Sequence, residues 1–496
     1  MIRRAPTTLA GTVLIALTAG CGLSSQAVSS LEQQQTATGT TAAAGVGTAG
    51  SGDSGQLAGP ATTPTGSSNP GAPGGGSANA GGVGVGPISA SPTGAGGGHQ
   101  GHTPGSTTPT PTSGGGSPGP AKDERIGISA HQITIAMHAP QTGAAPIPLA
   151  AFATGVKLFW ETHKVFGRKV VMQFADDQYN PSVARQRCEA FSRTSFLVVG
   201  GAGTDQIQAC ATDPVLQASH TPYLSAGVTT NGLTTLPYYF ALTQTYAAQV
   251  PEVWSMANEL FPTNAKGKWA VVTEDTPNFQ DVTDAIVSLL KQHHVAYKVF
   301  RTPKATSSSA AAAAVNEAES FTGRSTGTVF LDVDPNFWID MIASSAASLY
   351  SPAWVGPGVT QGEDLVAGPV CGVQPYLKAA FLSPFMGLDR EPAAFGAERN
   401  PKPDDIKIDR DVELLIYGMN ETIYHAMLSV GNIDNLTRDN FINAMTHFSA
   451  TYGKQLHVLP SVNFNGGHFG SHGAWVEKLN CSKLEFTTVG SGPIGG

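Results

Sequence analysis

The chain has 496 residues and a formal net charge of −8, from 28 Lys and Arg against 36 Asp and Glu, and only 13% of its residues are charged. That balance, with no basic stripe, excludes nucleic acid as the partner. A charge density this far below the roughly 25% of an ordinary globular chain has a local source: residues 22–121 hold 27 of the 59 Gly and 11 of the 34 Pro, with Glu32 and Asp53 as their only charged side chains.

Residues 1–20 read as an export signal. Arg3 and Arg4 form a basic start, and Leu9 to Ala19 is a largely apolar run of 11 residues, too short for a bilayer that takes about 20. The run ends in Leu17-Thr18-Ala19-Gly20-Cys21, which resembles the processing site of bacterial lipoproteins. The resemblance implies a lipid on Cys21 and attachment to the outer face of the cell membrane. Residues 21–121 then form a Gly/Ser/Thr/Pro-rich tether with too little apolar surface to offset the entropy of ordering. The remaining 375 residues carry 60 charged side chains, enough chain for two domains of about 100–200 residues.

From there strands and helices alternate. Ile133 to Met137 is a strand, Leu149 to Thr162 a helix, Lys169 to Phe174 a strand, Pro181 to Arg193 a helix and Phe196 to Val199 a strand. Asp205 to Ala218 is one helix, Tyr223-Leu224 a short strand, and Tyr246 to Glu259 a helix in which Pro251 predicts a kink. A second series follows: strand Trp269 to Val272, a helix from Phe279 with Val282, Ile286 and Leu289 on one stripe, and strand Ala296 to Phe300. Next come a helix over Ala310 to Glu319, strand Thr328 to Leu331, helix Phe337 to Leu349 and strand Ala353 to Val355. Asp411 to Val430 is a long amphipathic helix burying Val412, Leu415, Met419, Ile423, Ala426 and Val430, Asp439 to His447 is another, and short strands close the chain at Val462 to Phe464, Ala474 to Lys478 and Leu484 to Thr487. The alternation predicts an α/β fold of two Rossmann-like lobes with parallel sheets and several crossovers at a hinge. The expected lobes are 122–244 plus 374–458, and 245–373 plus 459–490. The cleft between such lobes is the default ligand site.

Besides Cys21, the cysteines are Cys188, Cys210, Cys371 and Cys481. No Cys-x-x-Cys or Cys/His spacing suggests zinc, so no metal is expected. Four cysteines allow three pairings. Cys188–Cys210, closing 22 residues, with Cys371–Cys481 as the remainder, is favoured over other pairings, and buried free thiols are the competing reading.

Four stretches carry a family likeness: Ile133 to Gly143 with its Ala139-Pro140-Gln141-Thr142-Gly143 end; Gly167 to Val170 leading to Ala175-Asp176-Asp177-Gln178 and Asn180-Pro181; Val198 to Thr204; and Thr221 to Thr229. In this order and spacing they resemble the type I periplasmic solute-binding proteins of ABC transporters, in particular the branched-chain amino acid (leucine/isoleucine/valine) binding family, in a lipoprotein form. The likeness extends over most of residues 126–490, and the placement of Cys188 and Cys210 is similar to that family's first-lobe disulfide. It implies a receptor that closes over a small polar solute and hands it to a permease and ATPase. Carried over residue by residue, it implies ligand contacts from Thr142, Thr204, Ala226, Gly227, Thr229 and Phe279. Helix capping is the competing role for Thr204, and Asp176 and Asp177 are expected to organise a loop. Gly358 falls where amino acid binders carry a Glu for the ligand's ammonium group, so Asp334 or Asp332 is the candidate substitute, with helix capping as the alternative role. The solute is thus an amino acid, an amide or an organic acid.

No enzyme and no cofactor are expected. Gly115-Gly116-Ser117-Pro118-Gly119 lies in the tether, away from the strand and helix that a nucleophile elbow requires. Gly200-Gly201-Ala202-Gly203 lacks the last Gly of a dinucleotide fingerprint. A ligand-sensing extracellular lipoprotein without a transport partner is the alternative function.

Overall fold

In the computed structural model the described residues are 124–304, 307–357, 363–390 and 410–495. The export signal, Cys21, the tether and Gly358 lie outside them.

The first lobe is built on β1 (Gln132–Ala139), β2 (Lys169–Asp176), β3 (Val198–Gly200), β4 (Tyr223–Ser225) and β5 (Tyr239–Ala241), all parallel in the order β2-β1-β3-β4-β5. Its helices are α1 (Leu149–Trp160), α2 (Pro181–Ser192), α3 (Thr204–Ala211) and α4 (Pro214–Ala218). The single helix expected over 205–218 is two, because Pro214 has no N–H to continue the ladder. Asp213 instead caps α4, accepting from the amides of Val215 (2.8 Å) and Leu216 (2.9 Å).

The chain then enters the second lobe through α5 (Tyr246–Leu260), which runs on past Pro251, and α6 (Pro262–Ala265). There follow β6 (Trp269–Glu274), α7 (Gln280–Gln292), β7 (Tyr297–Thr302), α8 (Ser308–Thr322), β8 (Thr328–Asp332), α9 (Pro335–Ser348), β9 (Ala353–Pro357), α10 (Glu363–Val373) and β10 (Lys378–Ser383). Their parallel order, β7-β6-β8-β9-β10, repeats that of the first lobe. Separate apolar clusters pack on the sheet's two faces, one with α8, α9 and α10, the other with α5 and α7.

Beyond β10 the chain returns to the first lobe with α11 (Arg410–Ser429), α12 (Arg438–Thr446) and the small pair β11 (Ser449–Ala450) and β12 (Val462–Asn463). It crosses once more so that β13 (Ala474–Asn480) and β14 (Glu485–Ile494) add antiparallel strands to the β10 edge. Two expected boundaries therefore move. Residues 374–383 belong to the second lobe, since β10 pairs with β9 from Lys378 to Leu382. Residues 459–464 belong to the first, where Leu459, Val462 and Phe464 join its core.

The α11 helix is buried almost all round over its first three turns rather than along one stripe. It lies against α1 closely enough that a Cβ on Gly155 would sit 2.6 Å from the Glu413 carbonyl, and its other side is covered by the 456–464 segment, with Val458 and Leu459 against Gly418. Its Asn420 accepts the Trp160 indole N–H at 2.7 Å, so this buried amide has the partner that burial requires.

Both favoured disulfides form. Cys188–Cys210 ties α2 to α3 and Cys371–Cys481 ties α10 to the end of β13, with Cα separations of 5.8 and 5.2 Å. Replacing Cys188 and Cys210 together by Ala should cost about 3 kcal/mol, read as a lower urea midpoint in the absence of reductant. An unchanged midpoint would mean that the bond adds nothing to the packing of α2 on α3.

Candidate functional site

In an open parallel sheet of this strand order, ligands sit beyond the carboxyl ends of the strands, where the winding direction reverses. In both lobes that point lies between the first strand of the series and the third, β1 and β3 in one, β6 and β8 in the other. The two points face each other across one cleft of about 720 Å³, its open mouth included. First-lobe walls are Pro140 and Ala145 to Ile147 after β1, Tyr179 after β2, and Ala202, Gly203 and Thr204 after β3. Second-lobe walls are Tyr246, Glu274, Phe279 and the run Asp332 to Asn336.

The first-lobe wall is shaped by two neighbouring acids. Asp176 accepts from the amides of Gln141 (2.9 Å), Thr142 (3.2 Å) and Gln178 (2.9 Å) and from the Thr142 hydroxyl. Burial pushes its carboxyl up, but these four bonds outweigh it and hold Asp176 below the usual carboxylate range. Asp177 accepts from the Tyr179 amide at 3.0 Å and pairs with buried His138 at 2.8 Å, whose other ring nitrogen meets the Tyr223 hydroxyl at 2.7 Å. Both acids thus organise the loop that presents Tyr179. Gly203, at φ 87°, is the N-cap of α3, so Thr204 is not its cap; it is the first helical residue, 7% exposed, on the cleft wall.

Asp205, in the first turn of α3, joins the lobes. It accepts from Lys304 Nζ at 2.5 Å and from Asn278 Nδ2 at 2.7 Å, both from the second lobe, while Lys304 lies 4.7 Å from the centre of the Tyr179 ring.

The second-lobe wall is acidic and buried. Glu274 ends β6, Asp332 ends β8, and each is 2% exposed. Asp334 caps α9, accepting from the amides of Asn336 (2.9 Å) and Phe337 (3.0 Å), while its own amide donates to Glu274 Oε1 at 3.2 Å. Burial, then the charge of Asp334, pushes Glu274 up to about 8, against the opposing pull of Lys304 and the Asp334 amide. Burial, then Glu274 and Asp281, pushes Asp332 well above its usual range. One oxygen of each, Glu274 Oε2 and Asp332 Oδ2, is buried with no hydrogen-bond partner among the described residues.

Of the site residues read from the sequence, Thr204, Phe279 and Asp334 stand on the cleft wall, and Asp334 does so while capping its helix. The other four are elsewhere. Thr142 is exposed, with its hydroxyl bonded to Asp176. Ala226, Gly227 and Thr229 lie on a buried seam: the Gly227 amide donates to Thr243 Oγ1 at 2.7 Å, and the Thr229 hydroxyl to Asp281 of α7 at 3.1 Å. Their polar groups are used to pin the segment after β4 against the crossover and the second lobe. Tyr179, Tyr246 and Glu274 were not anticipated. Glu274 had a legible signal, an acid at the carboxyl end of a parallel strand.

A sequence profile for the family described as periplasmic binding protein matches residues 132–323. Among solved structures, a fatty acid ABC transporter substrate-binding protein from Thermomonospora curvata superposes with a TM-score of 0.62 at 14% identity, covering 75% of this chain and 95% of its own. A leucine-binding protein from Thermotoga maritima gives 0.59 at 13% identity, over 72% and 98% of the two chains. An ABC transporter solute-binding protein from R. palustris, in complex with 4-hydroxybenzoate, gives 0.59 at 14% identity, over 73% and 97%. The fold is that of type I periplasmic binding proteins. No curated protein sequence matches the chain. Within this fold the cleft holds the place between the lobes, and among the described residues no helix is long and apolar enough to cross a membrane.

Proposed function

We propose that the protein is the extracytoplasmic substrate-binding lipoprotein of an ABC importer, which captures a small polar solute between its lobes and is not itself an enzyme. The observation that carries this reading is the meeting of both sheets' winding-reversal points at one cleft. That is a binding architecture, and ligand contacts from two lobes would stabilise their closed arrangement in the way a permease could recognise. Thr204, Phe279, Asp334 and its alternative Asp332 are the proposed contacts retained from the sequence, joined by Glu274, Tyr179 and Tyr246. Cys21 is the proposed lipid attachment, holding the receptor at the outer face of the membrane, with permease and ATPase subunits as partners. Of the named neighbours, the leucine-binding protein and the complex with 4-hydroxybenzoate favour an amino acid or organic acid as the solute class.

A thermal-shift screen of the mature chain against amino acids, their amides and aromatic acids tests this. At least one small molecule should raise the midpoint by several degrees, and a bulky Thr204→Trp change should abolish the shift. A midpoint that no small molecule moves would remove the receptor reading.

A further inference from the structure

Among the described residues the cleft walls carry three acids and no base. Glu274, Asp332 and Asp334 line them, and none of the lining residues is Lys, Arg or His. The nearby cation, Lys304, is held by Asp205. Two of the acids have an oxygen buried without a partner, an arrangement that costs folding free energy unless something satisfies it. Around them stand the rings of Tyr179, Tyr246 and Phe279, and aromatic faces attract cations. We propose that the solute carries an amine or ammonium head, seated against the carboxylates of Glu274 and Asp332 and walled by Tyr179, Tyr246 and Phe279.

This rests on the reading of the cleft as a solute site and narrows it. Binding is an exchange of ions. The arriving ammonium takes the place of the proton that burial and Asp334 keep on Glu274, and that proton leaves to solvent. The groups that set the balance are Asp332 and Asp334 from the β8 end, Lys304 beyond β7, Asp205 on α3, and the phenols of Tyr246 and Tyr179, with Asp281 of α7 acting on Asp332. Affinity for an amine that stays protonated therefore rises with pH, by roughly tenfold per unit below the Glu274 titration.

The test is calorimetry on the full mature chain with four heads on one skeleton: 3-methylbutylamine, L-leucine, 4-methylpentanamide and 4-methylpentanoate, with the same heads repeated on benzyl and propyl skeletons. The amine should bind most tightly, release a proton, and tighten by about tenfold or more between pH 6.5 and 8. Glu274→Gln and Asp332→Asn, which keep shape and remove charge, should each weaken the amine by at least tenfold and flatten its pH profile, while both variants keep the wild-type circular dichroism spectrum. If the amide or the carboxylate binds and the amine does not, or if both variants hold the amine unchanged, the cation proposal falls and the receptor reading stands. If no head on any skeleton binds, both fall.

Discussion

Arg438→Met should destabilise the folded domain by about 3–5 kcal/mol, lowering its urea midpoint. Arg438 is the first residue of α12 and is 1% exposed. Its guanidinium donates to the carbonyls of Ser192 and Ser195 at 2.7 Å, Ser219 at 2.9 Å and Phe196 at 3.2 Å. Those carbonyls come from the end of α2, the approach to β3 and the end of α4, so one side chain fastens a late helix to three points that precede it by more than 200 residues. Methionine fills similar volume but leaves the carbonyls buried without donors, each at a cost of about 1–3 kcal/mol before relaxation. Arg438→Lys should recover only a minor part, because a compact ammonium on a flexible stem cannot reproduce the planar fork. A midpoint for Arg438→Met within error of the wild type would show that water replaces the guanidinium at no cost.

The second large effect is a loss of stability toward alkaline pH. Glu274 titrates near 4.5 in an unfolded chain and near 8 in the native one. The native state keeps a proton that the unfolded chain has released, so the stability present below about pH 4.5 declines as pH rises toward 8. Glu477 on β13, raised to about 8 by burial and then by Asp389 against hydrogen bonds from Thr488 and Gly387, acts in the same window, and Asp332, also raised by burial, shifts stability in the same direction. Glu274→Gln has no charge to bury. It should melt at nearly the same temperature as the wild type at pH 4.5 and be more stable by on the order of 4 kcal/mol at pH 8. The check is a set of thermal melts from pH 4.5 to 8.5 for both proteins without added solute. Parallel curves would mean that Glu274 is ionised in the native protein and that its environment compensates the charge.

Most of the fold was legible because parallel strands covered on both faces read as continuous apolar runs, such as Trp269 to Val272 and Thr328 to Leu331, each followed by a helix. Among the elements that escaped are two strands of the main sheets. Strand β10 has only Ala379 to Leu382 as an uninterrupted apolar core, bracketed by Pro375 and Pro384, so nothing local marks it as central. Its place follows from β9 on one side and β13, almost 100 residues later, on the other. Strand β5 is three residues long and lacks any period of its own.

The site was legible in position and less so in membership. The family resemblance pointed to Thr204 and Asp334, which stand on the cleft wall. It pointed equally to Ala226, Gly227 and Thr229, but the donors there are consumed by Thr243 and Asp281, a fact of tertiary pairing that no local pattern carries. Glu274 escaped because the strand Trp269 to Val272 runs two residues further than its apolar run. Arg438 shows the converse: a charged residue at the start of an amphipathic helix reads as solvated, and only the fold reveals four carbonyls converging on it.

The route of the chain also decides the order in which the molecule can be completed. After residue 383 the first sheet lacks α11, which fills its core, and the second lacks the β13–β14 edge. A chain emerging N-terminus first therefore has all ten parallel strands of the two sheets in hand with neither half finished. The Cys188–Cys210 bond can close as soon as the helix–strand–helix unit α2–β3–α3 forms, whereas Cys371 must wait as a thiol until Cys481 arrives. The second sheet is thus completed last, and a chain cut between β10 and β13 leaves Cys371 without its partner and the β10 edge uncovered to its neighbours.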